Sequence, residues 1–221
     1  LKGPVEMPGL FISFEGIDGC GKTTQVERVA EIIRGTGREV VSVRDPGSTR
    51  VAELVRNMLL DRGNSDIDAR TELFLYLACR AELVERCIRP ALGRGQVVIS
   101  DRFSDSTLAY QGYGRMLGVE LVREANRIAT AGLTPNVTLL IDIPVNLARN
   151  RRGGKIVDRL EAEDGDFHER VRNGFLEIAR REPDRVAVLD GTLPVDDVTN
   201  AILDTLALRV PVLLGDVIKS S

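Results

Sequence analysis

Leu10-Phe11-Ile12-Ser13-Phe14-Glu15-Gly16-Ile17-Asp18-Gly19-Cys20-Gly21-Lys22-Thr23 is the stretch on which the fold turns. Its first part, Leu10–Phe14, is a short run with almost no polar residues, the pattern of a parallel strand covered on both faces. Its second part, Gly16 to Thr23, spells G-x-x-x-x-G-K-T, the P-loop pattern. The glycines let the backbone wrap so that its N–H groups point at phosphate oxygens. A helix expected over Thr24–Arg34 adds the positive potential of its N-terminus. Lys22 supplies a mobile charge for the β- and γ-phosphates. The Thr23 hydroxyl is placed for Mg²⁺, which keeps several water and phosphate ligands. Gly16, Ile17, Asp18, Gly19, Cys20, Gly21, Lys22, Thr23 and Thr24 form the candidate triphosphate cradle.

Outward from this stretch, Val40–Val43, Val97–Ser100, Val137–Ile141 and Val186–Leu189 repeat the buried-strand pattern. Each is separated from the next by enough chain for a helix. Phe167, Val171, Phe175 and Ile178 share one face of a helix over Asp164–Arg181. Val198, Ala201, Ile202, Thr205 and Leu206 do so over Val195–Leu208. A long helix is expected over Asp68–Arg89. Strand and helix in alternation predict an α/β fold: three layers, with a five-stranded parallel sheet flanked by helices. Residues 10–208 read as a single domain. Residues 1–9 read as a leader, with Met7 the expected start. Residues 209–221 read as a tail, partly disordered from Pro211. The Gly- and charge-rich segment around Arg151–Gly165 reads as a mobile lid over about 150–164.

The chain has 221 residues, 43% apolar and 29% charged, with a net charge of −3. That is ordinary for a soluble globular protein and excludes dominant disorder. With 30 basic and 33 acidic residues, no global positive field draws in nucleic acid. Cys20, Cys79 and Cys87 are odd in number and lack C-x-x-C spacing, which argues against disulfides or zinc and for a reducing, cytoplasmic compartment. No apolar run approaches a membrane span. The D-x-x-G and N-K-x-D signals of a GTPase switch are absent outside the P-loop itself.

After the third apolar run comes Asp101-Arg102-Phe103-Ser104-Asp105-Ser106-Thr107-Leu108-Ala109-Tyr110-Gln111. An Asp at the C-terminal end of a parallel strand lies in the ligand crevice. Asp101 is placed for a magnesium-bound water or for orienting Arg102, whose fork suits a phosphate. Together with Phe14–Gln25, Arg44-Asp45-Pro46-Gly47-Ser48-Thr49, Thr71–Arg80, Asp101–Arg115 and Asp158-Arg159-Leu160-Glu161, these segments run in the order of one family. The chain resembles the bacterial thymidylate kinases, P-loop nucleoside monophosphate kinases, over about residues 10 to 208.

The resemblance implies transfer of a phosphoryl group from ATP to dTMP with Mg²⁺, in a homodimer, with no nucleic-acid or membrane partner. Another nucleoside monophosphate kinase is the nearer alternative and a P-loop ATPase the more distant one. By the same resemblance, Tyr76 falls where a Phe stacks on thymine, and Arg80 reaches a pyrimidine carbonyl. Ser106, Thr107 and Gln111 line the base. Tyr110 crowds the sugar 2′ position, and Asp18 contacts the 3′-OH. Arg44, Asp45 and Arg56 surround the acceptor phosphate, which Arg102 grips. Gly19 stands where some members carry a catalytic Arg, so the lid must supply that cation. Arg151 or Arg152 is expected in the role, with Arg149 nearer adenine. Asp45 replaces the usual Glu, Ser48 a common Gly, and Tyr76 adds a hydroxyl. His168 is expected on the surface.

Overall fold

A computed structural model of the chain describes residues 9–153 and 158–213. β1 (Leu10–Glu15) lies at the centre of a five-stranded sheet. β3 (Val97–Asp101) flanks it on one side and β4 (Val137–Asp142) on the other. β2 (Val40–Arg44) lies outside β3, and β5 (Val186–Asp190) outside β4. All four pairings are parallel, with Phe14 opposite Asp101 on one side and Leu139 on the other. The three inner strands are buried along nearly their whole length, because helices cover both faces. The outer two depart from the uniform burial expected of them. Only Val43 of β2 is fully buried, and Val188 and Asp190 of β5 are exposed. Edge strands have a neighbour on one side only.

The two-residue period of β1 divides its side chains between two cores. Leu10, Ile12 and Phe14 enter the larger one, with Val97, Ile99, Leu139 and the helices α1 (Lys22–Gly35), α8 (Gly165–Arg181) and α9 (Val195–Arg209). Phe11 enters the smaller one, edge-on to Phe103 at 4.8 Å between ring centroids and beside Val98 and Ile88. Burying a side chain of this size contributes about 1.5–3 kcal/mol. The faces expected of α8 and α9 point inward: Phe167, Val171, Phe175, Ile178, Val198, Ile202 and Leu206 are buried, and Ala201 and Thr205 half-buried.

One expectation is corrected, that for His168, and the structure adds detail to two others. The helix over Asp68–Arg89 is present and runs on to Gly93, with one π turn inside it. It runs as α3 (Ala69–Leu83), loosens into a π turn over Val84–Ile88, and resumes as α4 (Arg89–Gly93). The loosened turn lies just before Pro90, which has no N–H for the regular ladder. His168 is buried at 4% exposure, because it follows Phe167 on the lid-facing side of α8. Beyond α9, Pro211 and Val212 are exposed and Leu213, 1% exposed, joins the core. Residues 1–8, 154–157 and 214–221 lie outside the described residues; with them lie the expected leader apart from Gly9, lid residues Gly154 and Lys155, and most of the tail.

Candidate active site

The chain leaves β1 for β2 on one side of the sheet and later crosses to β4 and β5 on the other. The loop after β1 therefore lies at the point where strand order reverses, above the C-terminal ends of the strands, where α/β folds bind ligands. Two glycines make its path possible. At Gly16 the backbone has φ +135°, and an added Cβ would fall 2.4 Å from the Ile141 carbonyl oxygen. At Gly19, with φ +88°, it would fall 2.6 Å from the Ala148 carbonyl oxygen. Lys22 folds back, donating from Nζ to the carbonyls of Gly16 at 3.0 Å and Ile17 at 3.1 Å. The Thr23 hydroxyl donates to Asp101 Oδ2 at 2.9 Å, joining the P-loop to the end of β3. Asp18, Gly19, Gly21, Lys22, Thr23, Thr24, Arg44 and Asp101 line one open cavity with Arg102 and Arg151.

A second cavity adjoins the first. Tyr76, Arg80, Ser106, Thr107, Tyr110, Gln111, Leu60, Asp158 and Leu160 line it. Asp18, Asp45, Arg56 and Arg102 line both, at the junction. Most of its expected residues come from α3 and from α5 (Ser104–Thr107) with the π-helical segment Leu108–Gly114 that follows. π geometry recurs at functional sites. The Tyr110 hydroxyl donates to Asp18 Oδ2 at 2.8 Å. Arg102 donates to the Gly16 carbonyl at 2.9 Å and Ser106 Oγ at 3.0 Å, and pairs with Asp18. Burial alone would raise the Asp18 pKa, but Arg102, Lys22 and the Tyr110 hydroxyl together hold it well below the usual carboxylate range.

Arg80 does not stand free to read a base. It is 1% exposed. Its Nε pairs with Asp45 at 2.6 Å, its Nη1 reaches Thr107 and Asn126 at 2.7 Å each, and its Nη2 the Phe103 carbonyl at 3.1 Å. One of its five N–H bonds is left for a ligand. Gln111 is likewise held, donating to Glu72 at 2.8 Å. Glu72 also takes Arg115 at 3.1 Å and Arg159 at 2.6 Å. Asn126 and Glu72 support the pocket from behind, and the sequence reading assigned neither a role. Arg56 donates to the Pro46 carbonyl at 2.8 Å, while Arg44 forks onto Glu53 at 3.0 and 3.1 Å. The Asp45–Pro46 peptide bond is cis.

Of the lid arginines, Arg151, though exposed, is the one that lines the P-loop cavity. At the end of α7 (Val145–Arg151) it donates to the Gly191 carbonyl at 2.9 Å. Arg152 lies across Gly19, its Cγ 3.1 Å from where a Cβ would stand, and pairs with Glu161 at 3.3 Å. Arg149, expected nearer the base of the triphosphate, is exposed and lines neither that cavity nor its neighbour beyond the P-loop. The neighbour is walled by Gln25, Arg151 and the turn Gly191–Val195 between β5 and α9. The sequence reading missed this turn, which has no charge or motif to mark it. The second half of the expected lid is packed down: Arg159 Nε donates to the Leu59 carbonyl at 3.0 Å, and Leu160 is buried.

The Thymidylate kinase family profile matches residues 14–202. The chain belongs to the thymidylate kinase family. It is 53% identical to a thymidylate kinase of Caldanaerobacter subterraneus subsp. tengcongensis over 84% of this chain and 88% of that one. It is 47% identical to one of Geobacter sulfurreducens over 92% and 99%. The crystal structure of thymidylate kinase from Ehrlichia chaffeensis superposes with a TM-score of 0.74 at 35% identity, covering 90% of this chain and 98% of that one. Within this thymidylate kinase fold the three cavities run in a row. The one at Tyr76 meets the P-loop at Arg102, and the P-loop meets the Gly191–Val195 turn at Arg151.

Proposed function

We propose that the enzyme transfers the γ-phosphoryl group of ATP to the phosphate of dTMP, giving ADP and dTDP. The observation that carries this reading is the junction: Arg102, Arg56 and Asp18 each line both the P-loop cavity and the apolar-and-polar pocket at Tyr76. Two nucleotides laid in that row meet phosphate to phosphate between fixed arginines. The acceptor phosphate, with a second pKa of ~6, is already largely dianionic at neutral pH, so no general base is required. The barrier is repulsion between anions, and preset cations lower it. Lys22 and Arg151 face the donor side, and Arg102 the acceptor side. Arg56, its guanidinium braced on the Pro46 carbonyl, stands beside the acceptor phosphate with Arg44 and Asp45.

In this reading Tyr76 stacks on thymine. Ser106, Thr107 and Gln111 surround the base with Arg80, whose remaining N–H is the one offered to it. Tyr110 and Asp18 face the sugar. The turn Gly191–Val195 takes adenine. Thr23 and Asp101 present hard oxygens too few for an all-protein cage, the partial set that Mg²⁺ accepts. Bound there, Mg²⁺ would neutralise phosphate oxygens of ATP. Lid motion about residues 150–164 would exclude water. A homodimer is supported by α2 (Arg50–Leu60) and α3, which pack together and expose Val51, Leu54, Met58 and Phe74. Among the described residues no helix is long and apolar enough to cross a membrane, and we place the reaction in the cytoplasm, where free Cys20, Cys79 and Cys87 persist.

A panel of dTMP, dUMP, dCMP, AMP and thymidine with ATP and Mg²⁺ tests the reading. Phosphorylation of dTMP above all others is expected, with little ATP hydrolysis when the acceptor is left out. Preference for another monophosphate, or fast hydrolysis without acceptor, would overturn it.

A further inference from the structure

Glu15, the last residue of β1, is fully buried. Its partners are hydroxyls and an amide rather than a guanidinium. Oε1 accepts from the Phe103 amide at 2.7 Å and from the Ser13 hydroxyl at 3.1 Å. Oε2 accepts from the Ser106 hydroxyl at 2.6 Å. Such a carboxylate is expensive. Burial first, and then the nearby Asp105, push it up to about 7, against the pull of Ser106, Arg102 and the Phe103 amide. Asp105 is itself neutralised by Arg185 at 2.7 Å, which leaves Glu15 without a cation of its own.

Both ends of Glu15 lead to Arg102. A serine hydroxyl has one proton. With that proton on Glu15, Ser106 turns its lone pairs to Arg102 Nη1, 3.0 Å away. The backbone of Arg102 is left-handed, at φ +72°, a conformation that costs a residue with a Cβ roughly 1–2 kcal/mol. It is held by three hydrogen bonds. Arg102 N donates to the Phe14 carbonyl at 2.9 Å, the Ser100 hydroxyl donates to the Arg102 carbonyl at 2.6 Å, and the Phe103 amide donates to Glu15.

We propose that Glu15 is a positioning residue for Arg102: through Ser106 it sets the guanidinium, and through the Phe103 amide it sets the backbone, so that the arginine is aimed at the acceptor phosphate. The proposal rests on the reading of the Tyr76 cavity as the dTMP site. The role concerns the phosphate first, since Glu15 itself lines neither cavity and acts on a ligand only through Arg102 and Ser106.

The test is calorimetric binding of dTMP and of thymidine, which lacks the phosphate, to wild type, E15Q and S106A. Gln keeps the shape of Glu, but one end becomes a donor. With its oxygen on the Phe103 amide, its NH2 faces Ser106, which can no longer donate to residue 15; with the ends reversed, the Phe103 amide loses its acceptor, so one arm of the relay fails in either orientation. In E15Q, dTMP should bind roughly tenfold or more weakly, the loss of one charge-assisted hydrogen-bond relay, and thymidine within twofold of wild type. The thermal midpoint at pH 8 should be no lower than that of wild type, because a buried charge has been removed. S106A keeps the amide clamp and serves if E15Q does not fold; because Ser106 also lines the base pocket, thymidine affinity is the internal control there, and dTMP affinity should fall several-fold further than thymidine affinity. In steady state KM for dTMP should rise and KM for ATP stay within twofold. Equal loss of both ligands, or of neither, in a folded variant would overturn the proposal, as would a lower midpoint with unchanged dTMP affinity. Failure of wild type to bind dTMP would instead overturn the reading of the site.

Discussion

The buried pair between Asp45 and Arg80 gives a sharp test of how the acceptor pocket is built. The two side chains are 0% and 1% exposed and 2.6 Å apart. Asp45→Asn removes the charge and keeps the shape. The Arg80 guanidinium is then left buried among Thr107, Asn126 and the Phe103 carbonyl, all neutral. Breaking one partner of a buried pair costs about 3–5 kcal/mol. For a protein of this length that is a fall in thermal midpoint of roughly 6–20 °C. Urea unfolding at pH 8 measures it as a lower midpoint concentration at unchanged slope. The double variant D45N/R80M should recover most of the loss, since neither charge remains. Arg80→Met alone has a further signature. Burial already raises the Asp45 carboxyl, with Arg80 the main opposing charge. Without Arg80 the folded state binds a proton more tightly than the unfolded state. Stability then falls as pH rises through that window, and the loss is smaller at pH 5 than at pH 8. D45N within about 1 kcal/mol of wild type would refute the account, and so would a double variant no better than D45N.

Lys22→Ala should leave the fold intact and lower kcat by at least about 10²-fold, read by circular dichroism and a coupled ADP assay; near-normal turnover would remove Lys22 from the mechanism. Arg151→Ala should lower kcat about 10²-fold or more, whereas Arg152→Ala, turned towards Glu161 at 3.3 Å, should stay within tenfold; the reverse order would reassign the lid cation. Glu15 predicts a pH-dependent stability. Its carboxyl rises from 4.5 to about 7 on folding, so the folded state holds its proton longer and stability falls as pH rises from about 4.5 to 7, by about 3 kcal/mol in all. Urea midpoints of wild type and E15Q at pH 5 and pH 8 should diverge by that amount, and parallel pH trends would refute it.

All five strands and both C-terminal helices were legible in the sequence, because each is dictated locally. A run such as Val137–Ile141 has nowhere to go but the middle of a covered sheet, and G-x-x-x-x-G-K-T fixes a backbone path through Gly16 and Gly21, both at positive φ, that few other residues permit. Of the junction residues, Asp18 was legible from the P-loop and Arg102 from its place after a strand-end Asp, whereas Asp45 and Arg56 were legible only through the family resemblance. The tertiary structure decided their partners. Whether Arg80 faces a ligand or Asp45, 35 positions away, depends on how α3 is set against the end of β2, and no local period carries that. The same holds for Glu15 and the Phe103 amide, 88 positions apart, and for Glu72 gathering Gln111, Arg115 and Arg159. Arg149, Arg151 and Arg152 are alike as sequence. The helix turn that points Arg151 to the Gly191 carbonyl and leaves Arg149 outside the P-loop cavity and its neighbour separates them. Composition and period fix which residues must leave water; register and helix docking fix which polar groups then meet, since a buried charge survives only where the fold happens to bring it a partner.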